Sequence, residues 1–359
     1  MLRHPELFSS SGWESRYLGQ LPKEANSSLP NVYRHYGTKV VSNTDPPEHT
    51  RLRRIVQRSF SPRVIEAMRE QVERLSSELI DGLVEGSTID WVSEVAYPLP
   101  ATMIALLLGA PVEDTELFEG WSADIVAFVG SGAPKMELAL QEEQSLIAFR
   151  EYLSGLIARA RFDPKDDLLS LLVEKSEDGD ALTDDELIST CVTLLFAGHE
   201  TTANLLSSLT LELLRAPDQW DLVTSESGLA SAAVEETLRF NGPVQRIRRV
   251  AREDVELQGI KVKKGQSVLG FIGSANRDEA VFEDAESFNI GRRRDANLSF
   301  GAGVHFCLGA ALSRLEAPIV LQHLTTRFPR TRLAPSFSER YRSNMTFRGL
   351  ESLKLELRR

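Results

Sequence analysis

Phe300-Gly301-Ala302-Gly303-Val304-His305-Phe306-Cys307-Leu308-Gly309 is the stretch that decides the fold. One cysteine sits in a glycine-punctuated loop, and a helix-like run, Ala310-Ala311-Leu312-Ser313-Arg314-Leu315-Glu316, follows at once. Glycine has no Cβ, so the backbone at Gly301, Gly303 and Gly309 can take unusual dihedrals and let a bulky flat partner come close. A thiolate at a helix N-terminus is stabilised by the helix dipole and by free backbone N–H groups. Such a loop can present one sulfur ligand to the iron of a macrocycle lying over the glycines. Taken alone, the cysteine reads more readily as a buried thiol in a turn before a helix.

The whole pattern, Phe-Gly-x-Gly-x-His-x-Cys-x-Gly, resembles the haem-binding loop of the cytochrome P-450 haem-thiolate monooxygenases, soluble bacterial type, at every defining position. Three further motifs stand upstream in family order, and the resemblance runs from Met1 to the C-terminus. It implies haem b, with Cys307 as the iron ligand and His305 hydrogen-bonded to a propionate. Phe300 packs beside the sulfur, and Gly301 and Gly309 belong to the cofactor-binding loop. It also implies a mainly α (α+β) fold: one large helical domain over residues 1–359, small β-sheets and a long central helix. Met1-Leu2-Arg3-His4-Pro5-Glu6-Leu7-Phe8 resembles a segment several tens of residues into typical bacterial members. The first helix and the leading strands of the small sheet are therefore expected to be missing.

Composition agrees with a large helical core. The 359 residues are 42% hydrophobic, with no Pro/Gly/Ser-rich linker, repeat or low-complexity run. Ile65, Met68, Val72, Leu75, Leu79 and Leu83 step by three or four, which predicts a helix ended by Gly86. Two cysteines, Cys191 and Cys307, argue against a disulfide scaffold and fit a reducing compartment. With no twenty-residue apolar span and no signal peptide, the chain is expected to be cytoplasmic without a membrane anchor. A net charge of −11 makes nucleic acid an unsuitable partner.

Thr183-Asp184-Asp185-Glu186 has the spacing of a capping box, and the helical pattern then runs to about Arg215, where Ala216-Pro217 stops it. That is roughly 48 Å of helix. In its middle lies Ala197-Gly198-His199-Glu200-Thr201-Thr202. Glycine inside a helix costs about 1 kcal/mol against alanine. One reading is close helix packing at Gly198, with threonine hydroxyls bonded back to carbonyls four residues earlier. The other is a local distortion that opens a groove. The run looks like the acid–alcohol motif of the family. That resemblance implies that Ala197 and Gly198 line the oxygen site, Thr201 donates there, and Glu200 relays protons. Oxygen–oxygen heterolysis needs two protons delivered without flooding the site with water. His199 points off the face of Glu200, and Cys191 reads as a buried apolar thiol.

Glu236-Thr237-Leu238-Arg239 resembles the Glu-x-x-Arg motif, a buried charge pair behind the haem loop with a structural role. Asn276-Arg277-Asp278 and Phe288-Asn289-Ile290-Gly291-Arg292 resemble the meander that precedes that loop. His49 and Arg53, at i and i+4, share a helix face, and with Arg249 they match propionate-binding positions. The same resemblance implies substrate walls from the loop between about Ser10 and Lys39, Val126 to Leu140, Leu194, Leu195 and Ala197, Val244 to Ile247, and Met345 to Phe347. Being mostly apolar, they predict a lipophilic small-molecule substrate.

The leading function is a monooxygenase that inserts one atom of O2 into an organic substrate by hydroxylation or epoxidation. Its electrons come ultimately from NAD(P)H through a ferredoxin reductase and a ferredoxin, because no reductase-like segment follows Arg359. The alternatives are a peroxide-driven peroxygenase or isomerase, which commonly lacks the acid–alcohol pair, and a non-catalytic haem sensor or carrier, which needs no such pair. Arg51, Arg54, Arg58, Arg63, Arg292, Arg293, Arg294 and Arg314 are expected to form a cationic ferredoxin-docking face.

Overall fold

The structure is a computed structural model that describes residues 1–174, 181–293 and 296–359. Arg294, expected in the cationic face, lies outside them. The helix Asp184–Arg215, 32 residues long, runs through the core. Its capping box is formed as the spacing predicts: Glu186 N–H donates to Thr183 Oγ1 at 3.2 Å, and Thr183 N–H donates to Glu186 Oε2 at 2.8 Å. Residues around nearly its whole circumference are buried, including Leu187, Cys191, Leu195, Leu205 and Leu211. It therefore needs neighbours on all sides. They are the helices Pro98–Leu108, Thr115–Gly130, Ala230–Asn241 and Ala310–Arg327. The apolar core around them extends from Tyr17 to Leu357.

The strands are few and antiparallel. One sheet has Arg246–Ala251 between Phe8–Ser9 and Ser267–Phe271; a second has Lys354–Glu356 between Thr88–Asp90 and Arg332–Leu333. Val255–Leu257 and Ile260–Val262 form a hairpin. Its two turn residues, Gln258 (φ 48°) and Gly259 (φ 82°), both lie in the left-handed region that a tight hairpin requires.

Two local expectations are corrected. The periodic run from Ile65 to Leu83 is two helices, Pro62–Ala67 and Arg69–Asp81, joined at Met68. There the amide bonds three residues back, to Ile65 O at 3.1 Å, instead of four. Ile65, Met68 and Val72 stay buried across the joint, so the apolar face survives it. The segment expected as a loop from Ser10 to Lys39 contains the helices Trp13–Leu18, Ala25–Ser28 and Pro30–Gly37. Tyr17, Leu18, Leu29 and Val32 anchor these helices in the core.

Candidate functional site

The cysteine loop closes on itself. Cys307 N–H donates to Phe300 O at 2.9 Å, and Gly301 and Gly303 hold φ of 74°, a region closed to most side chains. A Cβ on Gly303 would lie 2.7 Å from Leu2 O. Cys307 is exposed on one side. Protein crowding on its other sides raises the thiol's pKa, while the N–H groups of Gly309 and Ala310 and the guanidiniums of Arg53 and Arg314 pull it back. Phe300 lies beside the loop at half burial, with the Arg314 guanidinium 4.5 Å from its ring centroid.

The helix that starts at Ala310 joins the loop to the long helix, where Thr202 Oγ1 lies 2.9 Å from Ser313 Oγ. Next to that contact the long helix opens. Ala197 is exposed and Leu194, Gly198 and Thr201 are half-buried, whereas Leu195, His199, Glu200 and Thr202 on the other faces are buried. The helix stays α-helical throughout, so the expected distortion is not seen. Two features of the close-packing reading are present instead. Thr201 Oγ1 donates to Ala197 O at 2.8 Å. A Cβ on Gly198 would lie 2.8 Å from Ile104 Cγ1, so this glycine admits the neighbouring helix.

Glu200 is held in a buried network that sequence reasoning missed. Arg342 Nη1 pairs with Glu200 Oε1 at 2.8 Å, Asn204 Nδ2 donates to the same oxygen at 3.3 Å, and the Tyr97 hydroxyl donates to Oε2. Arg342 is 142 positions away, and nothing in the linear pattern singles it out. Burial and the Glu200 charge push the Tyr97 hydroxyl well above its ordinary pKa, so it acts as a donor. His199 points elsewhere: Nδ1 lies 2.8 Å from Leu195 O, and the ring packs edge-on to Tyr97.

The four expected propionate-binding residues occupy one region, with differing partners. His49 and His305 have ring centroids 4.3 Å apart. His305 Nε2 is 2.8 Å from Ser10 Oγ, a partner the sequence did not suggest, and His49 Nε2 is buried with no partner. Arg53 grips the loop itself, donating to Val304 O at 3.0 Å and Phe306 O at 2.8 Å. Arg249 is buried at 6% exposure and makes no ion pair among the described residues. Desolvation lowers the pKa of all four, of His305 to about 4. Two arginines and two neutral imidazoles, one with an orphaned nitrogen, suit an anionic hydrogen-bonding partner. The exposed thiol and the open helix face suit a flat one. The residues present therefore fit haem.

Behind the loop, Arg239 pairs with Glu236 at 2.7 Å, both buried, and donates to the carbonyls of Asn276, Ala285 and Ser287 at 2.8–3.0 Å. The Glu-x-x-Arg pair thus ties the meander to its helix, the structural role expected of it. The cationic face is smaller than expected. Arg51 pairs with Glu48 at 2.6 Å and also with Glu186, Arg292 pairs with Glu236 at 3.3 Å, and Arg314 pairs with Glu235 at 2.5 Å.

A mainly helical architecture around one long helix, with a glycine-bounded cysteine loop near His49, Arg249 and His305, is that of a haem-binding family. The chain belongs to the cytochrome P450 family, whose family model matches residues 18–333. It is 41% identical over 313 residues to cytochrome P450 107B1 of Saccharopolyspora erythraea, covering 87% of this chain and 75% of that one. It is 40% identical over 315 residues to the polyketide biosynthesis cytochrome P450 PksS of Bacillus subtilis, covering 87% and 76%. Among solved structures, cytochrome P450 CREJ in complex with (4-ethylphenyl) dihydrogen phosphate superposes with a TM-score of 0.90 at 32% identity, covering 99% of this chain and 88% of that one. No helix among the described residues is long and apolar enough to cross a membrane.

Proposed function

We propose that residues 1–359 of this cytochrome P450 monooxygenase hold haem b through Cys307 and take electrons from NAD(P)H through a separate ferredoxin reductase and ferredoxin. The substrate is a lipophilic small molecule, and one atom of O2 is inserted into it. The observation that carries the assignment of the site is the exposed Cys307 thiol on a loop whose following helix meets the long helix at Ser313 and Thr202, next to the half-open positions Ala197, Gly198 and Thr201. Haem bound there supplies the binding and reductive splitting of dioxygen.

The chain's own residues supply position and protons. The N–H groups of Gly309 and Ala310, with Arg53 and Arg314, favour the thiolate form of Cys307. His49, Arg249 and His305 complement the propionates, and Arg53 holds the carbonyls of Val304 and Phe306. Thr201 Oγ1 keeps its proton on Ala197 O and can turn it toward a ligand on the open face by one χ1 rotation. Glu200, whose carboxylate is turned to Tyr97, Arg342 and Asn204 on another face of the helix, would reload that hydroxyl through water. Its connection to solvent is Arg342, whose side chain is 36% exposed while that of Glu200 is 2% exposed.

The test of the ligand is the carbon monoxide complex of the reduced protein. A strongly red-shifted Soret band is expected in the wild type and in Cys191→Ser, and its loss in Cys307→Ser. A band retained in Cys307→Ser overturns the assignment. Substrate-dependent NADPH consumption with ferredoxin and its reductase then separates a monooxygenase from a peroxide-driven enzyme or a sensor.

A further inference from the structure

The segments expected to wall the substrate site meet at one place. Gln245 N–H donates to Thr346 O at 2.8 Å, Met345 N–H to Gly130 O at 2.9 Å, and Asn344 Nδ2 to Val126 O at 2.9 Å. The Tyr17 hydroxyl, from the first of these segments, donates to Phe128 O at 2.5 Å and lies 2.9 Å from Ser131 Oγ. Apolar walls are expected here, yet the strand Arg246–Ala251 brings two further cations. Arg246 is 7% exposed, and its only bond to another side chain among the described residues is Nε to Thr346 Oγ1 at 3.1 Å. Arg248 is half-buried, 5.5 Å over Trp13 and 5.6 Å over Tyr17.

Neither arginine makes an ion pair among the described residues. Glu14, the carboxyl felt by Arg248, is itself buried, bonds Gly12 N–H at 3.1 Å, and has one oxygen without a partner. A guanidinium at 7% exposure without a counter-ion is unfavourable. Burial and the Arg248 charge lower the Arg246 pKa, and the only opposing influence is the Tyr17 phenol. Arg249, three positions on, is explained by the haem propionates, but Arg246 faces Thr346 and Tyr17 and is left over. Its two terminal nitrogens match a carboxylate in fork geometry.

We propose that Arg246, oriented by Thr346 and reinforced by Arg248, binds the carboxylate of an otherwise lipophilic substrate, so that this protein acts on an apolar organic acid. The inference rests on the haem-thiolate reading above and adds the substrate's anionic end.

The test is calorimetric titration of the haem-loaded protein with dodecanoate and with 1-dodecanol, which share the chain and differ in charge. The wild type is expected to prefer the acid by about ten-fold or more, as a buried charge-assisted pair provides. Arg246→Gln loses the preference while keeping its affinity for the alcohol, and Arg246→Lys restores part of it. Without ligand, Arg246→Gln melts at or above the wild-type temperature, because it removes an uncompensated charge. Equal affinities in the wild type overturn the proposal, as does a preference that survives Arg246→Gln. So does an Arg246→Gln protein that melts well below the wild type, which would make Arg246 a structural cation. Dodecyl phosphate binding more tightly than dodecanoate overturns the carboxylate assignment. The carbon monoxide spectrum of the same wild-type sample keeps the two readings apart. A normal thiolate band without acid preference sinks only this proposal, whereas absence of the band sinks the haem-thiolate reading.

Discussion

Thr201 shows how little a side chain has to move to change its role. Its hydroxyl proton lies on Ala197 O at 2.8 Å, and the residue stands on the one open face of a buried helix. Thr201→Ala is expected to keep haem and substrate binding but to divert reducing equivalents into hydrogen peroxide. Product formed per NADPH should fall by about ten-fold or more, the scale of a lost positioned acid. Unchanged coupling would move the proton route to Thr202 or to water. His35 carries a different prediction. Burial and the charge of Arg150 hold its pKa down to about 4, against an ordinary 6.5. Between those values the unfolded chain binds a proton that the folded chain refuses, so stability falls as pH drops from about 6.5 to about 4. The loss is up to about 3 kcal/mol. Melting temperatures across that range should show the slope, and His35→Gln should reduce it. An identical slope in the variant would clear His35.

At the scale of the element, Gly198 sets two effects against each other. Helix propensity favours alanine by about 1 kcal/mol. Packing opposes it, because a Cβ would stand 2.8 Å from Ile104 Cγ1 and 2.9 Å from Cδ1. Ile104 is β-branched and buried at 3% exposure, so it cannot easily give way. Gly198→Ala is therefore expected to destabilise by about 1–3 kcal/mol, as overpacked cores do. Ile104→Ala placed in the Gly198→Ala background should cost much less than Ile104→Ala alone, a coupling that a double-mutant cycle measures. Additive effects would remove packing as the reason for the glycine.

For the whole molecule, net charge and local charge have opposite signs. The chain carries −11 overall. Arg58 and Arg63 are exposed and make no ion pair among the described residues, and the helix Pro62–Ala67 packs against Ala310–Arg327, the helix that follows Cys307. Cations so placed would steer an acidic ferredoxin to the thiolate side. Arg58→Glu with Arg63→Glu should slow reduction of the iron by ferredoxin several-fold at low salt. The double change should also flatten the salt dependence of that rate, because screening removes steering beyond about 10 Å at 0.1 M. Substrate affinity should not change. A wild-type rate that ignores salt would rule out electrostatic docking on this face.

Whatever depends on neighbours along the chain was legible from the residues in order. Thr183 and Glu186 are three residues apart, so their capping box and the start of the long helix were legible, as was its stop before Pro217. The Glu236–Arg239 pair was legible for the same reason, and the glycine pattern around Cys307 marked the loop. Tertiary structure alone decided what depends on residues far apart. The choice of Arg342 and Tyr97 as partners of Glu200 joins three separate elements, and periodicity carries no signal for such a meeting. The break at Met68 leaves the apolar spacing intact and so hides in it. The unpaired charge of Arg246 is a fact about burial: one arginine among 41 basic residues becomes informative only when folding leaves it at 7% exposure with no anion among the described residues.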